Sequence, residues 1–276
     1  MQKIPIQKID SYIWKIPQNY RHDMKVPVTI FASEELLEKM QLDRTLAQGV
    51  NVATLPGVLK HSVVLPDAHE GYGFPIGGVG ATDYNEGVIS PGGVGYDINC
   101  GVRLMVTNLD EKDVRPRITD IINVLFTNIP SGLGSRRKDF SITMSDLDRI
   151  AVEGARYIVE KFGLGWHEDI IHCEEEGAME GADPKLVSPT AKSRGIGQIG
   201  TLGSGNHFLE VQRVDKIFDP KAAEKMGVTH EGQITVLIHT GSRGFGHQIC
   251  GDYLRVMERA SAKYGIKLPD SELACA

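Results

Sequence analysis

Apolar residues recur at helical spacing in two long stretches in the middle of the chain. One stretch covers about residues 119–129 and the other covers residues 145–162, and in both the apolar residues lie three or four positions apart. This spacing gathers the apolar side chains on one face of an α-helix. We therefore predict two amphipathic helices whose apolar faces lie in the core.

Shorter apolar runs predict strands, several of which end next to polar residues. Residues 26–31 are expected to be extended and to lead into a helix that begins after an N-cap at Ser33. Further strands are predicted at residues 61–65, 101–107, 208–211 and 234–238, and a final helix is predicted from about residue 245 to residue 264. Because no repeat or proline-rich linker interrupts these elements, we expect an α+β fold in a single mixed domain, with glycine-rich metal-binding loops on the strands and helices at the periphery.

Composition and charge exclude several classes of protein. The chain has 276 residues, of which 41% are hydrophobic, and no apolar run approaches the roughly 18 residues of a membrane span. Its start lacks the apolar core of a signal peptide, so we expect a cytoplasmic protein without membrane contact. Four cysteines in a chain of this length do not predict a disulfide framework. The net charge of −6 gives no general attraction to nucleic acid, so a polyanion would have to be held by local basic residues.

The most informative segment, residues 90–103, sets Asp97 and Cys100 three positions apart among glycines. A carboxylate and a thiol in a loop with so few side chains form a candidate metal site. The alternative interpretation is a tight turn beside a buried cysteine that behaves as a small hydrophobe.

Three more glycine-rich segments, residues 65–78, 203–210 and 239–247, carry polar side chains. His207 and His239 both lie where a strand meets a flexible loop, and we interpret both as ligands rather than as structural residues. Asp67 is a candidate catalytic residue. The alternative is that Asp67 and His69 only hydrogen-bond within their own turn.

Together, Asp97, Cys100, His207 and His239 supply one thiolate, two imidazoles and one carboxylate. This ligand set suits zinc, iron, or manganese bridged by the thiolate. Arg243 follows His239 in a glycine-rich turn and is predicted to bind a phosphate, with Ser242 and neighbouring backbone N–H groups completing an anion cradle. A metal next to a phosphate-binding arginine indicates phosphoryl or nucleotidyl transfer.

Four segments, residues 65–69, 91–101, 205–210 and 239–244, resemble in order the motifs of the RtcB family of RNA-splicing ligases. The resemblance implies a GTP- and manganese-dependent ligase that joins an RNA 3′-phosphate or 2′,3′-cyclic phosphate end to a 5′-hydroxyl end, in tRNA splicing or RNA repair. It implies RNA, in the form of tRNA halves, as substrate, and either archease or a complementary C-terminal chain as a protein partner.

The resemblance also assigns roles to individual residues. By this resemblance two manganese ions share Cys100, Asp97 serves one ion, and His207 and His239 serve the other. Asn206 would contact a phosphate of GTP, and Glu210 would hydrogen-bond the edge of the guanine. For Glu210 the alternative is an ordinary surface position on an alternating strand.

Members of the family continue beyond the region that resembles the end of this sequence. By the resemblance, that further part supplies another metal-binding histidine, the histidine that becomes guanylylated and much of the guanine pocket, and no histidine follows His247 here. We therefore expect residues 1–276 to form an incomplete ligase catalytic domain that binds manganese without forming a covalent GMP adduct. Two alternatives remain open: a stand-alone metal-dependent phosphatase or nuclease, and a non-catalytic module that binds metal and RNA.

Overall fold

The computed structural model describes residues 4–137 and 140–276 of the chain. Its strands are β1 (Gln7–Asp10), β2 (Ile13–Ile16), β3 (Val28–Phe31), β4 (Val58–His69), β5 (Ile76–Thr82), β6 (Gly101–Asp110), β7 (Phe208–Arg213) and β8 (Gln233–Thr240). Its helices are α1 (Glu34–Met40), α2 (Thr45–Val52), α3 (Pro91–Val94), α4 (Glu111–Val114), α5 (Ile118–Asn128), α6 (Met144–Phe162), α7 (His167–Ile171), α8 (Pro189–Gly195), α9 (Pro220–Lys225) and α10 (Arg243–Tyr264). This mixture of helices and sheets confirms the predicted α+β class. Within the described ranges, no helix combines the length and the apolar character needed to cross a lipid bilayer.

The chain divides into two compact units. The first unit comprises the chain up to Tyr96 together with Cys250–Ala276, and the second comprises Asp97–Ile249. Each unit contains a β-sheet of its own. That the whole chain forms one catalytic domain stays a prediction.

The first unit is built on a five-stranded sheet in the order β1-β2-β3-β4-β5. Strands β3 and β4 are parallel, and the other neighbours are antiparallel. Val28, Ile30 and Val64 of the sheet are fully buried in one core cluster with Leu46 and Val50 of α2. The core of this unit therefore lies between the sheet and the helices that follow β3.

The start of α1 agrees with the sequence. Ser33 is the N-cap, and its side chain accepts a hydrogen bond from the backbone N–H of Leu36. Leu37 and Met40 of this helix are buried, as the apolar spacing predicted.

Strand β4 is longer than predicted, and this changes the setting of Asp67. The sequence predicted a strand that ends at Leu65 and delivers Asp67 and His69 into a turn, but both residues lie in β4. His69 pairs with Ile76 of β5, after an irregularity in the strand register that follows Val64. The prediction was wrong because apolar alternation ends where the strand leaves the core, while backbone pairing continues beyond that point.

The second unit contains a three-stranded antiparallel sheet in the order β6-β8-β7. All three strands were predicted, and β8 extends two residues further than predicted, so that His239 lies within it. The register pairs His239 with Val102 of β6 and with Phe208 of β7. This register fixes which polar residues meet at one end of the sheet.

Helices α5 and α6 lie where the apolar spacing predicted them, but only α6 contributes buried residues. Leu147 and Tyr157 of α6 are buried, whereas α5 contains no buried residue. The expectation that the apolar face of α5 lies in the core is therefore wrong. Periodicity shows which residues share a face, but it does not show whether another element covers that face.

Helix α6 changes direction at Gly154. This residue has φ 60° and ψ −138°, which interrupts the helical backbone. A Cβ at this position would overlap the carbonyl group of Gly177. Both the backbone conformation and the close approach require glycine here.

Candidate functional site

The register of the second sheet gathers the predicted metal ligands at one end of that sheet. His239 lies on the central strand β8, opposite Val102 of β6 and Phe208 of β7. Cys100 immediately precedes β6, and His207 immediately precedes β7. The three side chains therefore approach one another although they are far apart in the sequence.

Their ligand atoms lie close together. Cys100 Sγ is 3.1 Å from His239 Nε2 and 3.3 Å from His207 Nε2, and His207 Nε2 is 2.6 Å from Asp97 Oδ2. The ligand atoms of Asp97, Cys100 and His207 all lie within 4.8 Å of one another. The structure thus brings together the four residues that the sequence predicted as metal ligands.

A tight turn holds Asp97 and Cys100 side by side. The backbone N–H of Cys100 donates to the carbonyl of Asp97 at 3.0 Å, and Asn99 between them has φ 56°. Asparagine is one of the few residues with a side chain that adopts this left-handed conformation readily. The spacing of three positions therefore serves to close the turn.

Two donors fix the carboxylate of Asp97. Its Oδ1 accepts hydrogen bonds from the hydroxyl of Ser242 at 2.9 Å and from the backbone N–H of Arg243 at 3.1 Å. Burial by itself raises the pKa of Asp97, but the hydrogen bonds from Ser242 and Cys100 and the nearby His207 outweigh burial and hold the pKa below its usual value. Asp97 is therefore a carboxylate at neutral pH, as a metal ligand must be.

The segment that follows β8 passes very close to this carboxylate. A Cβ on Gly241 would lie 2.6 Å from both Cγ and Oδ1 of Asp97. No side chain could be accommodated there without moving the carboxylate. The glycine in this segment thus serves the approach of Ser242 and Arg243 to Asp97.

Cys100 has a less acidic thiol than an ordinary cysteine. The residue as a whole is exposed, but its sulfur is partly desolvated beside the imidazoles. Desolvation, and then the hydrogen bond to Asp97 and its negative charge, raise the pKa of the Cys100 thiol to about 11, against a smaller opposite effect of Asn206. Without a cation at the site, the thiol therefore keeps its proton at neutral pH.

The donor set fits a divalent transition metal. One sulfur, two imidazole nitrogens and one carboxylate oxygen converge, and this combination suits zinc, iron or manganese. A cation would relieve the close approach of these donors and stabilise the thiolate.

The groups that were predicted to bind a phosphate beside Arg243 have hydrogen-bond acceptors within the protein. Ser242 and the backbone N–H of Arg243, which the sequence suggested as phosphate donors, both bond to Asp97. The Arg243 guanidinium donates from Nη2 to the carbonyl of Gly132 at 3.2 Å, while its Nε is buried without a partner. Arg243 itself has φ 55°, so its backbone is held in the left-handed region. The phosphate-binding role of Arg243 stays a prediction.

The predicted nucleotide-binding residues lie beside the four ligands or on the same sheet. Asn206 is exposed and contacts the thiol of Cys100. Glu210 is exposed on β7 and accepts a hydrogen bond from Gln212 at 2.7 Å. Because side chains alternate along a strand, Glu210 and Phe208 share one face of the sheet. The nucleotide roles of Asn206 and Glu210 stay predictions.

Asp67 lies apart from these residues in the sequence and belongs to the first unit. It is exposed on β4, and the backbone carbonyl of Asp67 lies 3.1 Å from His69 Nδ1. Interaction within the segment, which the sequence left open as an alternative, is thus present between these two residues. The catalytic role of Asp67 stays a prediction.

Sequence reasoning missed two contacts that shape the site. Ser242 orients Asp97, and the ring of Phe208 packs edge-on against His239 with 5.3 Å between the centroids. Both contacts depend on strand register and on the turn after β8. A local sequence pattern carries no signal for such contacts between distant segments.

The chain is similar to known proteins along most of its length. The family model described as tRNA-splicing ligase RtcB matches residues 48–276. A tRNA-splicing ligase RtcB from Pyrobaculum aerophilum is 55% identical over 276 residues, which cover 100% of this chain and 57% of the relative. One from Thermococcus kodakarensis is 54% identical over 272 residues, or 99% of this chain and 56% of the relative. An RNA-splicing ligase RtcB from Mycobacterium bovis is 53% identical over 230 residues, or 83% of this chain and 53% of the relative.

The chain thus spans a little over half the length of these relatives. Within that span, the identity is high along nearly the whole of the present sequence. A family model that covers most of the chain and relatives above 50% identity lead to one conclusion. The chain belongs to the RtcB family of tRNA-splicing ligases.

Proposed function

We propose that this chain carries the metal-binding part of a GTP- and manganese-dependent RNA ligase. The substrates would be an RNA end with a 3′-phosphate or 2′,3′-cyclic phosphate and an RNA end with a 5′-hydroxyl, as in tRNA splicing or RNA repair. The observation that supports this proposal best is the convergence of Asp97, Cys100, His207 and His239 at one end of the second sheet.

In this proposal the same four side chains would hold manganese, and Cys100 would supply the thiolate ligand. When bound, the metal would stabilise negative charge on the reacting phosphate. Ser242 and the backbone N–H of Arg243 keep the Asp97 carboxylate oriented toward His207. Cys100 would have to release its proton to act as a ligand, since its thiol pKa of about 11 keeps it protonated in the absence of a cation.

The nucleotide and phosphate roles form a second part of the proposal. Asn206 lies next to the Cys100 sulfur, a position from which its amide could reach a phosphate of GTP. Glu210 would accept hydrogen bonds from the guanine edge, and Arg243 would contact a phosphate through donors of its guanidinium that Gly132 does not use. Asp67 is proposed as a catalytic carboxylate.

The proposed partners follow from the activity. RNA, in the form of tRNA halves, would be the substrate, and archease or a complementary C-terminal chain would assist.

We propose that the protein works in the cytoplasm, because Cys100, Cys173, Cys250 and Cys275 are all free and a thiol ligand requires a reducing compartment. Since the chain spans 57% of its Pyrobaculum aerophilum relative, we further propose that ligation needs the part of the fold outside the matched region.

A joining assay tests this proposal. The chain is incubated with Mn²⁺, GTP and two labelled RNAs, one ending in a 2′,3′-cyclic phosphate and one beginning with a 5′-hydroxyl, with and without the remaining part of the Pyrobaculum aerophilum relative. We expect a joined product only when both protein parts, manganese and GTP are present. The variant Cys100→Ala should give no product, while Cys173→Ala, which alters another free cysteine, should leave the product unchanged.

Two other outcomes would favour the alternatives. Trimming of the cyclic phosphate end without joining, by the chain and manganese alone, would favour a phosphatase or nuclease. Retention of RNA without any change to its ends, under all conditions, would favour a non-catalytic binding module.

A further inference from the structure

Helix α5 in the second unit is apolar but only partly covered. It contains six large aliphatic or aromatic residues among its 11 residues, and none of its residues is buried. Ile122 is 53% exposed, and Phe126 is 81% exposed. Isolated exposed apolar residues are common, but a helix with this composition and no buried position indicates a surface that another element covers.

A groove runs along the same helix. It has a volume of about 470 Å³ and is bounded by α5 on one side and by β7 on the other. Its apolar lining includes Ile118, Ile122, Leu125, Phe126, Leu209 and Val211. The groove is therefore shaped by a helix face and a strand that already belong to one unit.

Strand β7 also has a free edge. In the part of the chain that the structure describes, β7 pairs only with β8, and it stands at the end of the three-stranded sheet. Alternate backbone N–H and C=O groups of an edge strand point away from its one neighbour and can pair with an added strand. The same strand thus provides both a free edge and part of the lining of the groove.

We propose that this groove, bounded by α5 and β7, binds an extended apolar segment from the part of the ligase fold that relatives carry outside the matched region. The segment adds a strand to the free edge of β7 and packs apolar side chains against Ile122 and Phe126. This inference rests on the proposed function, because it names the partner that completes the same ligase unit.

The length of the relatives is the reason for proposing this segment as the partner that binds in the groove. The Pyrobaculum aerophilum relative matches this chain over 100% of the chain but over only 57% of its own length. The relative therefore carries a further stretch of polypeptide that this chain does not match. Strand addition gives affinity through main-chain hydrogen bonds, and the apolar groove gives specificity through side-chain packing.

The first experiment measures binding without RNA, GTP or metal. The purified chain is titrated with the unmatched part of the Pyrobaculum aerophilum relative. The variant Phe126→Gln should bind at least tenfold more weakly than the wild-type chain, because the aromatic ring would be lost from the contact. The matched control is Phe218→Gln, since Phe218 is 86% exposed in the same unit but does not line the groove, and its affinity should not change.

The second experiment does not require the isolated partner to fold. Amide hydrogen exchange is compared between the chain alone and a single-chain chimera that joins it to the same part of the relative. Exchange in residues 208–213 should slow at least tenfold in the chimera, because their outward N–H groups gain partners, whereas exchange in residues 7–10 of the exposed strand β1 should stay the same.

Several results would overturn the proposal. Equal affinities of the Phe126→Gln and Phe218→Gln variants would show that the partner binds elsewhere, and unchanged exchange at β7 in the chimera would exclude strand addition. A dimer of this chain that Phe126→Gln dissociates would assign the groove to a second copy. Failure of the joining assay with partner binding intact would reject the proposed function alone.

Discussion

The hydroxyl of Ser242 donates a hydrogen bond to Asp97, with 2.9 Å between Oγ and Oδ1. Ser242 is not a ligand in the proposed site, but it sets the direction of a carboxylate that is. The same carboxylate also contacts His207 through its other oxygen, at 2.6 Å. A side chain just after β8 therefore orients a residue more than a hundred positions earlier in the sequence.

The variant Ser242→Ala should bind manganese about 10- to 100-fold more weakly than the wild-type chain, the range found when an outer partner of a metal ligand is lost. The physical reason is that the carboxylate loses one of its two fixed donors. Titration calorimetry with Mn²⁺ measures the effect, and Ser193→Ala, at an exposed serine, is the control. Equal affinities of both variants would remove Ser242 from this orienting role.

Manganese affinity should rise with pH. The pKa of the Cys100 thiol is about 11, so the thiol is protonated at neutral pH and must lose its proton on binding. At any pH below that pKa, raising the pH by one unit lowers the free-energy cost of this loss, which predicts roughly a tenfold gain in affinity per pH unit for one displaced proton. Binding is measured between about pH 7 and 8.5. In Cys100→Ala the affinity should collapse and the remaining pH dependence should flatten, whereas Cys173→Ala should keep the wild-type slope.

The variant Gly241→Ala should disrupt the site while its control should not. The added methyl group would lie 2.6 Å from Cγ of Asp97, so either the carboxylate or the turn after β8 must move. We expect loss of manganese binding and a free energy of unfolding lower by about 1–3 kcal/mol, as is typical of overpacking. The control is Gly251→Ala within α10, where an added methyl group meets no atom within 4 Å. That change should be neutral or stabilising by up to about 1 kcal/mol, by helix propensity. Thermal unfolding with and without Mn²⁺ compares the two variants.

Glu210 should control the choice of base. In the two-part ligation assay, Glu210→Gln should lose much of the preference for GTP over ATP, because an amide offers only one acceptor where the carboxylate offers two. Glu224→Gln, an exposed glutamate on α9, is the control. A Glu210→Gln protein that still prefers GTP by the original margin would leave Glu210 as a surface residue.

The chain alone should bind manganese without forming a covalent GMP adduct. By resemblance the guanylylated histidine belongs to a further part of the family fold, and His207 and His239 here are proposed as ligands. Incubation with Mn²⁺ and radiolabelled GTP, followed by denaturation, should leave no acid-labile label on the protein. Label that appears on the wild-type chain and disappears in His247→Ala would contradict this expectation and identify His247 as a nucleophile.

Local sequence patterns predicted the positions of helices and strands well, but they predicted the burial and the strand pairing of these elements less well. The cap at Ser33, the position of α5 and the strand that carries His239 all follow from signals within a few residues. The prediction that the apolar face of α5 is buried was wrong. An apolar face is a property of the segment, whereas its burial depends on another element that covers it. The end of β4 was wrong for a related reason, since backbone pairing with β5 continues after the apolar alternation has stopped.

The same distinction applies to the candidate site, where some residues could be recognised from local sequence and others could not. The convergence of the four proposed ligands was predicted because residue type and loop setting are both visible in the sequence. The role of Ser242 was not, because its acceptor Asp97 is brought near by the fold of the second unit. A hydrogen bond between segments this distant depends on the register of β6 and β8, and no periodicity in either strand specifies that register.

The bend in α6 has a consequence for how this sequence can vary. Gly154 is restricted twice, once by its backbone angles and once by the carbonyl of Gly177, which occupies the space a side chain would need. Moving the segment around Gly177 would remove only the second restriction. A mutational scan should therefore find no single compensating change that restores Gly154→Ala, and tolerance at position 154 should require α6 and residues 174–177 to change together. We therefore expect substitutions in these two segments to occur together.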